Sequence, residues 1–161
     1  MVAYVSAALV VLLTAGAVGI ALGDRSSAPT PRWRLAALPA LLAAATLVLL
    51  AVPPSCDLWD PQVWMLGLLA GLAGVARGAF VSLTVDHGQA RIRLRRAPEA
   101  AWLAVVAALV VVADILATPV GMLSSAFVPT AELALVVLAS FLIGRNFTML
   151  VRSRDIPHHD L

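Results

Sequence analysis

The sequence predicts an all-α membrane protein, a bundle of five transmembrane helices with a small cytoplasmic β-hairpin between helices 3 and 4. Of the 161 residues, 61% are hydrophobic and only 12% are charged, about half the charged fraction of an average soluble protein. The mean hydropathy is +0.97. The charges also cluster between long uncharged runs, so residues 1–161 are predicted to form a single integral membrane domain.

Five apolar segments are candidates to cross the hydrocarbon core as helices. The first has no basic residues before its apolar run and is longer than the core of a cleaved signal peptide, which favours a retained helix over cleavage. The third reaches full length only if Arg77 extends to the headgroup region. The predicted helices cover residues 2–22, 35–52, 63–78, 100–118 and 132–151, followed by a short cytoplasmic tail over 152–161.

The connection between helices 3 and 4 alternates apolar and polar residues, and this period of two indicates β-strands. Asp86-His87-Gly88 lies between the two alternating runs, and a glycine at that position suits a short hairpin loop. The pattern predicts a hairpin over residues 79–96. The alternative is that helix 3 continues to Val85 and an unstructured basic loop follows.

The arginines predict the orientation of the chain. All eleven basic residues are arginines, and with the N-terminus outside, all of them fall on one side of the membrane. Nine lie in the first and third connections and in the tail, while Arg77 and Arg145 lie late in helices that descend toward that side. Because arginine and lysine concentrate on the cytoplasmic side, the C-terminus is predicted to be cytoplasmic. The same distribution assigns the basic excess to the membrane, and we expect no nucleic-acid partner.

Four glycines of helix 3 recur at spacings that place them on one helix face: Gly67, Gly71, Gly74 and Gly78. Small residues allow membrane helices to approach closely, so the predicted role of this glycine stripe is helix packing. Its partner is either another helix of the same bundle or a second copy of the chain. Arg77 flanks the stripe and, like Arg145, is a candidate contact for an anionic lipid headgroup, with a plain interfacial anchor as the alternative.

Asp114 is the acidic residue inside the fourth apolar run, and acids within membrane spans are candidates for proton or cation handling. It lies near the outer end of its helix, which we expect to break around Pro119 and Gly121, so an interfacial cap is the alternative. Glu132, at the predicted start of helix 5, suits the positive end of a helix dipole.

Motifs for catalysis, cofactors or metals are not evident in the sequence. The single thiol, Cys56, excludes an internal disulfide. His158 and His159 are adjacent residues on the tail and make a poor metal cage. An acid, a base and a nucleophile do not occur at one membrane depth. We therefore predict no catalytic residues, no cofactor and no metal, and a protein that is not an enzyme.

One segment carries a resemblance to a known family. It contains Gly71-x-x-Gly74-x-x-Arg77-Gly78, an alternating run, Asp86-His87-Gly88, the arginine-rich residues 91–96 and Trp102. These features resemble the central part of the CcdC-like small bacterial membrane proteins, a family linked by name to cytochrome c maturation. The resemblance implies an accessory or assembly role and a location in the bacterial inner membrane, and it carries over no catalytic residue.

Two classes of function follow from these observations. The first is a non-enzymatic accessory, subunit or assembly protein that contacts the lipid bilayer and either a larger membrane protein complex or further copies of itself. Small size, glycine faces and few intramembrane polar groups favour it. The second is a small oligomeric transporter or channel-like protein, against which the odd helix number and the lack of an internal repeat argue.

Overall fold

In the residues that the computed structural model describes, 2–23, 30–51, 60–86, 91–94, 99–120 and 127–155, the protein folds into five α-helices and a small antiparallel sheet. The helices are α1 (Val2–Gly23), α2 (Trp33–Leu50), α3 (Pro61–Phe80), α4 (Glu99–Val120) and α5 (Phe127–Asp155). Each lies within a few residues of a predicted segment. The predicted all-helical class and the presence of a hairpin are therefore confirmed.

Local chemistry accounts for the ends that differ from the predicted ones. α3 begins two residues early because Asp60 caps it: the Gln62 N–H donates to Asp60 Oδ1 at 2.9 Å. Pro61 takes the first helical position, where a backbone N–H would have no hydrogen-bond partner within the helix, so the N–H that proline lacks is not needed. α4 includes Pro119 and ends directly before Gly121.

The fifth helix is longer than predicted at both ends. It begins at Phe127 rather than 132, because Pro129 lies in its first turn, where a proline is tolerated. It ends at Asp155 rather than 151, so four residues of the predicted tail are helical. Near this end of the helix, Met149 is fully buried together with Val85 and Ile92 of the sheet.

Among the described residues, three helices are long and apolar enough to cross a membrane, which makes this a membrane protein by length and composition. They are α2, α3 and the part of α5 from Ala131 to Arg154. The corresponding apolar stretches of α1 and α4, Ala7–Leu22 and Glu99–Ala113, are shorter. The prediction of five transmembrane helices is thus supported for three of them only.

Four of the helices form a ring in which each packs against the next, in the order α1, α2, α5, α4 and back to α1. Their shared core combines branched side chains with alanines, so large and small residues interlock. α3 lies outside this ring and has α5 as its main neighbour. α5 is therefore the central element, since it contacts α2, α3 and α4.

The sheet consists of β1 (Thr30–Pro31), β2 (Leu83–Asp86) and β3 (Arg91–Leu94), in the order β1-β3-β2. Val85 pairs with Ile92 in the antiparallel register, and both are buried against Leu35 and Met149. α3 ends at Phe80, which excludes its continuation to Val85. The added strand β1 was not predicted, because two residues are too few to show an alternation. The predicted turn at 87–88 lies outside the described residues.

Candidate functional site

The glycine stripe lies against α5 of the same chain. A Cβ atom on Gly74 would lie less than 3.0 Å from the backbone carbonyl of Phe141, and one on Gly78 would lie 2.5 Å from the carbonyl oxygen of Arg145. Real Cβ atoms essentially never come that close. Gly67 and Gly71 have more room, since their nearest neighbours would be at 3.3 and 3.7 Å. The two helices therefore meet backbone to backbone at the Gly74 and Gly78 end.

A fifth glycine completes this contact, and sequence reasoning missed it. A Cβ on Gly144 of α5 would come within 3.0 Å of the Gly71 carbonyl, so the two helices approach each other reciprocally. A signal was present in the sequence: Ser140, Gly144 and Thr148 are small residues spaced four apart on one face of α5. The Thr148 hydroxyl donates to the Gly144 carbonyl at 2.9 Å, which satisfies it within its own helix.

Arg77 and Glu99 form an ion pair between the last turn of α3 and the first turn of α4. Arg77 Nε donates to Glu99 Oε2 at 3.0 Å, and Nη2 donates to Oε1. The two side chains are 47% and 34% exposed, so the pair sits at the surface of the bundle. The sequence predicts a lipid headgroup contact or an interfacial anchor for Arg77 and does not identify Glu99 as its partner. Glu99 opens the helix that follows the hairpin and thus lies at the same end of the bundle.

Arg145 is buried, with 1% exposure. Its Nη1 donates to Asn146 Oδ1 at 3.1 Å, and Asn146 Nδ2 donates to the Leu35 carbonyl at 2.8 Å. Its Nε lies 3.9 Å from Glu99 Oε2. The predicted contact of Arg145 with a lipid headgroup stays a prediction, while in the structure its guanidinium contacts Asn146 and Glu99.

Arg152 of α5 forms hydrogen bonds with the end of α3. Its Nη1 donates to the carbonyl oxygens of Gly78 and Val81, both at 2.9 Å. The last carbonyls of a helix have no hydrogen-bond partner within the helix, so a cation that donates to them stabilises that helix end. We call Arg77, Glu99, Arg145 and Arg152, together with the helix ends they join, the basic end of the bundle.

An open groove runs between α3, α4 and α5 from the basic end toward the middle of the bundle. It has a volume of about 630 Å³. Arg77 and Glu99 lie at one end, and the remaining lining side chains are apolar. They are Ala70 and Ala73 of α3, Trp102 and Leu103 of α4, and Val137, Leu138 and Phe141 of α5.

The other predicted sites are distant from this groove or outside the described residues. Asp114 follows Glu99 by fifteen residues in α4, about 22 Å along the axis at 1.5 Å per residue, and its side chain is not among those described. Glu132 is 4% exposed in the second turn of α5, so the predicted role at a helix start does not fit its position. Cys56, His158 and His159 lie outside the described residues. Within the described part of the chain, no group of three potential metal ligands is found.

Comparison of the chain with protein-family models, with curated proteins and with solved structures gave no match. The resemblance of residues 71–102 to the CcdC-like proteins therefore stays a prediction.

Proposed function

We propose that this protein is a non-enzymatic accessory protein of the bacterial inner membrane that binds a larger membrane protein as a subunit or assembly factor. The observation that carries the proposal is the position of α3. It crosses the membrane outside the four-helix ring and is the least buried of the three membrane spans. A span attached along one side only offers its remaining surface to a neighbour in the membrane.

One stripe on α3 is the proposed contact surface. Trp64, Leu68 and Leu72 are spaced four apart, so they share a helix face, and all three are exposed. This stripe lies beside the glycine stripe on α3, and its side chains stay exposed while the glycines contact α5. Large apolar side chains at this spacing are those with which an amphipathic or membrane helix fills a complementary groove. The resemblance to the CcdC-like proteins, with its implied assembly role, supports the same proposal.

The proposed topology has five spans, with the N-terminus outside and the C-terminus in the cytoplasm. α1 and α4 are each 22 residues long and pack in one ring with the spanning helices α2 and α5, which supports counting them as spans. At 1.5 Å per residue, 22 residues reach about 33 Å, enough for a hydrocarbon core of about 30 Å. The one-sided arginines support the orientation.

Site-specific cross-linking in native membranes tests the accessory role. A photo-crosslinking amino acid at the Leu68 position should give a discrete adduct whose second component is a membrane protein. The matched control is the Leu109 position on α4, which is equally exposed but lies on another helix. Equal adducts from both positions, or none from Leu68, contradict the proposal. An adduct of two copies of this chain would indicate self-association instead of a larger complex. Solute flux through the purified protein in vesicles would favour the transporter.

The topology has its own test. Cys56 is the only cysteine, and the proposed orientation places it on the outer side. A membrane-impermeant maleimide added to intact spheroplasts should label it, and a Cys56→Ser variant gives the background. Labelling that requires permeabilised membranes contradicts the outside position.

A further inference from the structure

We propose that the groove between α3, α4 and α5 is a binding site for one anionic phospholipid. One acyl chain of this lipid lies between Ala73, Leu103 and Phe141, and its phosphate binds the edge of the Arg77 guanidinium that faces away from Glu99. This inference does not rest on the accessory role, because the groove and the Trp64 stripe lie on different sides of α3.

The charge at the basic end favours an anion. Arg77 brings a positive charge to the end of the groove. Glu99 offsets it only in part, because the same carboxylate also lies 3.9 Å from Nε of the buried Arg145. Glu99 engages Nε and Nη2 of Arg77. A guanidinium carries five N–H donors in a planar fork, so in the described residues its other edge is available to a second acceptor. A phosphate oxygen is the acceptor that such a fork matches best.

Glu99 also positions Arg77 for this contact. An arginine that only extended to the headgroup region would sample many rotamers. The two hydrogen bonds to Glu99 fix the guanidinium at the entrance of the groove. Glu99 in turn lies 3.9 Å from the buried Arg145 Nε, so the carboxylate is held between two cations. The side chain that would bind the phosphate is therefore ordered before the lipid arrives, which lowers the entropy lost on binding.

The length of the groove favours a lipid chain over a protein helix. From Arg77 to Ala70 it covers seven residues of α3, about 10 Å at 1.5 Å per residue. This is the half of the span next to the basic end, and one leaflet takes up half of a hydrocarbon core of about 30 Å. A transmembrane helix seated in the groove would, by contrast, need the groove to continue past Ala70 along the span.

The small side chains of α3 make room for the chain. Ala70 and Ala73 line the groove where a larger residue would fill it, and Phe141 and Leu138 of α5 form the opposite wall. The volume of about 630 Å³ is within the range of about 300–1,000 Å³ that is usual for sites of small molecules. Trp102 lines the groove beside Glu99, and tryptophan is a side chain that favours the level of the headgroups.

Native mass spectrometry of the detergent-extracted full chain tests the proposal, with phosphatidylglycerol and phosphatidylcholine as the two added lipids. We expect one bound lipid and a preference of roughly tenfold for phosphatidylglycerol. Ala73→Leu should lower binding of both lipids roughly tenfold by filling the groove. Ala79→Leu is the matched control, since Ala79 is exposed and follows Leu72 by seven residues, which places it on the side of α3 away from the groove. It should bind as the parent does.

Arg77→Gln separates the headgroup contact from the groove. It should remove the preference for phosphatidylglycerol and leave phosphatidylcholine binding unchanged. If Ala73→Leu does not fold, as judged by its melting temperature, Ala70→Leu replaces it as the groove-filling variant. The proposal is overturned if the parent binds the two lipids equally, or if Ala73→Leu and Ala79→Leu bind alike. A dimer peak that Ala73→Leu abolishes also overturns it, because a second copy would then occupy the groove.

Discussion

The four-helix ring and the α3–α5 contact hold helices together by different means. In the ring, Val10, Leu42, Val111 and Leu142 are buried among alanines, so the helices are separated by layers of side chains. Between α3 and α5, glycines bring the two backbones into direct contact, and a single methyl group at Gly74 or Gly144 has no room. The ring contact is made by side chains, whereas the α3–α5 contact is made by the main chain.

The membrane explains why both means occur in one small protein. Lipid tails are as apolar as leucine, so burying a leucine between helices gains little hydrophobic free energy. What remains is van der Waals packing, which is strongest where the surfaces fit most closely. α3 has essentially one neighbour, and close backbone contact compensates for the smaller number of helices that hold it. The ring distributes its contacts and is therefore expected to tolerate changes better.

The largest expected effect comes from Gly74→Ala. The added methyl group would overlap the Phe141 carbonyl, so the helices must move apart at a cost of about 2–3 kcal/mol, typical of overpacking. A lower melting temperature in detergent checks this. Hydrogen exchange should show faster exchange in α3, while α1, on the far side of the ring, keeps its protection.

Gly71→Ala is the matched control on the same helix. A Cβ at this position would meet the Ser140 carbonyl at 3.7 Å, an ordinary contact. Because alanine is a better helix former than glycine, the variant should be as stable as the parent or more so by up to about 1 kcal/mol. Equal losses for Gly74→Ala and Gly71→Ala would show that the close contact has no special role.

Leu142→Ala tests the ring and should have the next largest effect. Leu142 is fully buried in the core shared by the four helices. Its truncation leaves a cavity but exposes no apolar surface to water, so we expect a loss of about 2 kcal/mol, the low end for a leucine-to-alanine change. Chemical unfolding in mixed micelles measures it. Leu68→Ala on α3, where the side chain is 66% exposed, should change the free energy of unfolding by less than the error of the measurement. A similar loss at both positions would contradict the difference in packing.

The smallest expected effect comes from Arg152→Met, which removes both hydrogen bonds to the end of α3. The carbonyls of Gly78 and Val81 lose a charged donor at the edge of the bundle, where water replaces it in part. We expect a loss of about 1 kcal/mol and faster hydrogen exchange confined to the junction of α3 with β2. Arg154→Met, two residues on and exposed, is the control. Faster exchange throughout α5 would show that Arg152 stabilises its own helix instead.

Local patterns made most of the secondary structure predictable. Helices as long as α2 and α3 are recognised by uncharged length, and the pair β2 and β3 by alternation, because both signals are contained in neighbouring residues. The helix ends were less predictable. The predicted start of helix 5 at residue 132 is late, since the first turn of α5 accommodates Pro129. β1 is recognisable only by its pairing with β3, sixty residues later in the chain.

The candidate site could likewise be predicted only in part. Arg77 and the four glycines of the stripe were identified from the sequence, since spacing alone puts them on one helix and its arginine at one end. Their partners were not. Glu99 and Gly144 are separated from them in the sequence, and each becomes meaningful only when two helices are docked.

The sequence by itself determined that the chain belongs in a membrane, where its helices lie and which arginines gather at its basic end. These properties depend on local composition and on the charge of each segment. Only the tertiary structure decided that α3 packs on α5 outside the ring, that Arg145 is buried while Arg77 reaches the surface, and that a groove opens between α3 and α4. Lipid tails solvate every apolar helix face about equally well. The choice of neighbour therefore rests on the fit between two surfaces, and that fit is a property of the pair and is not contained in either segment alone.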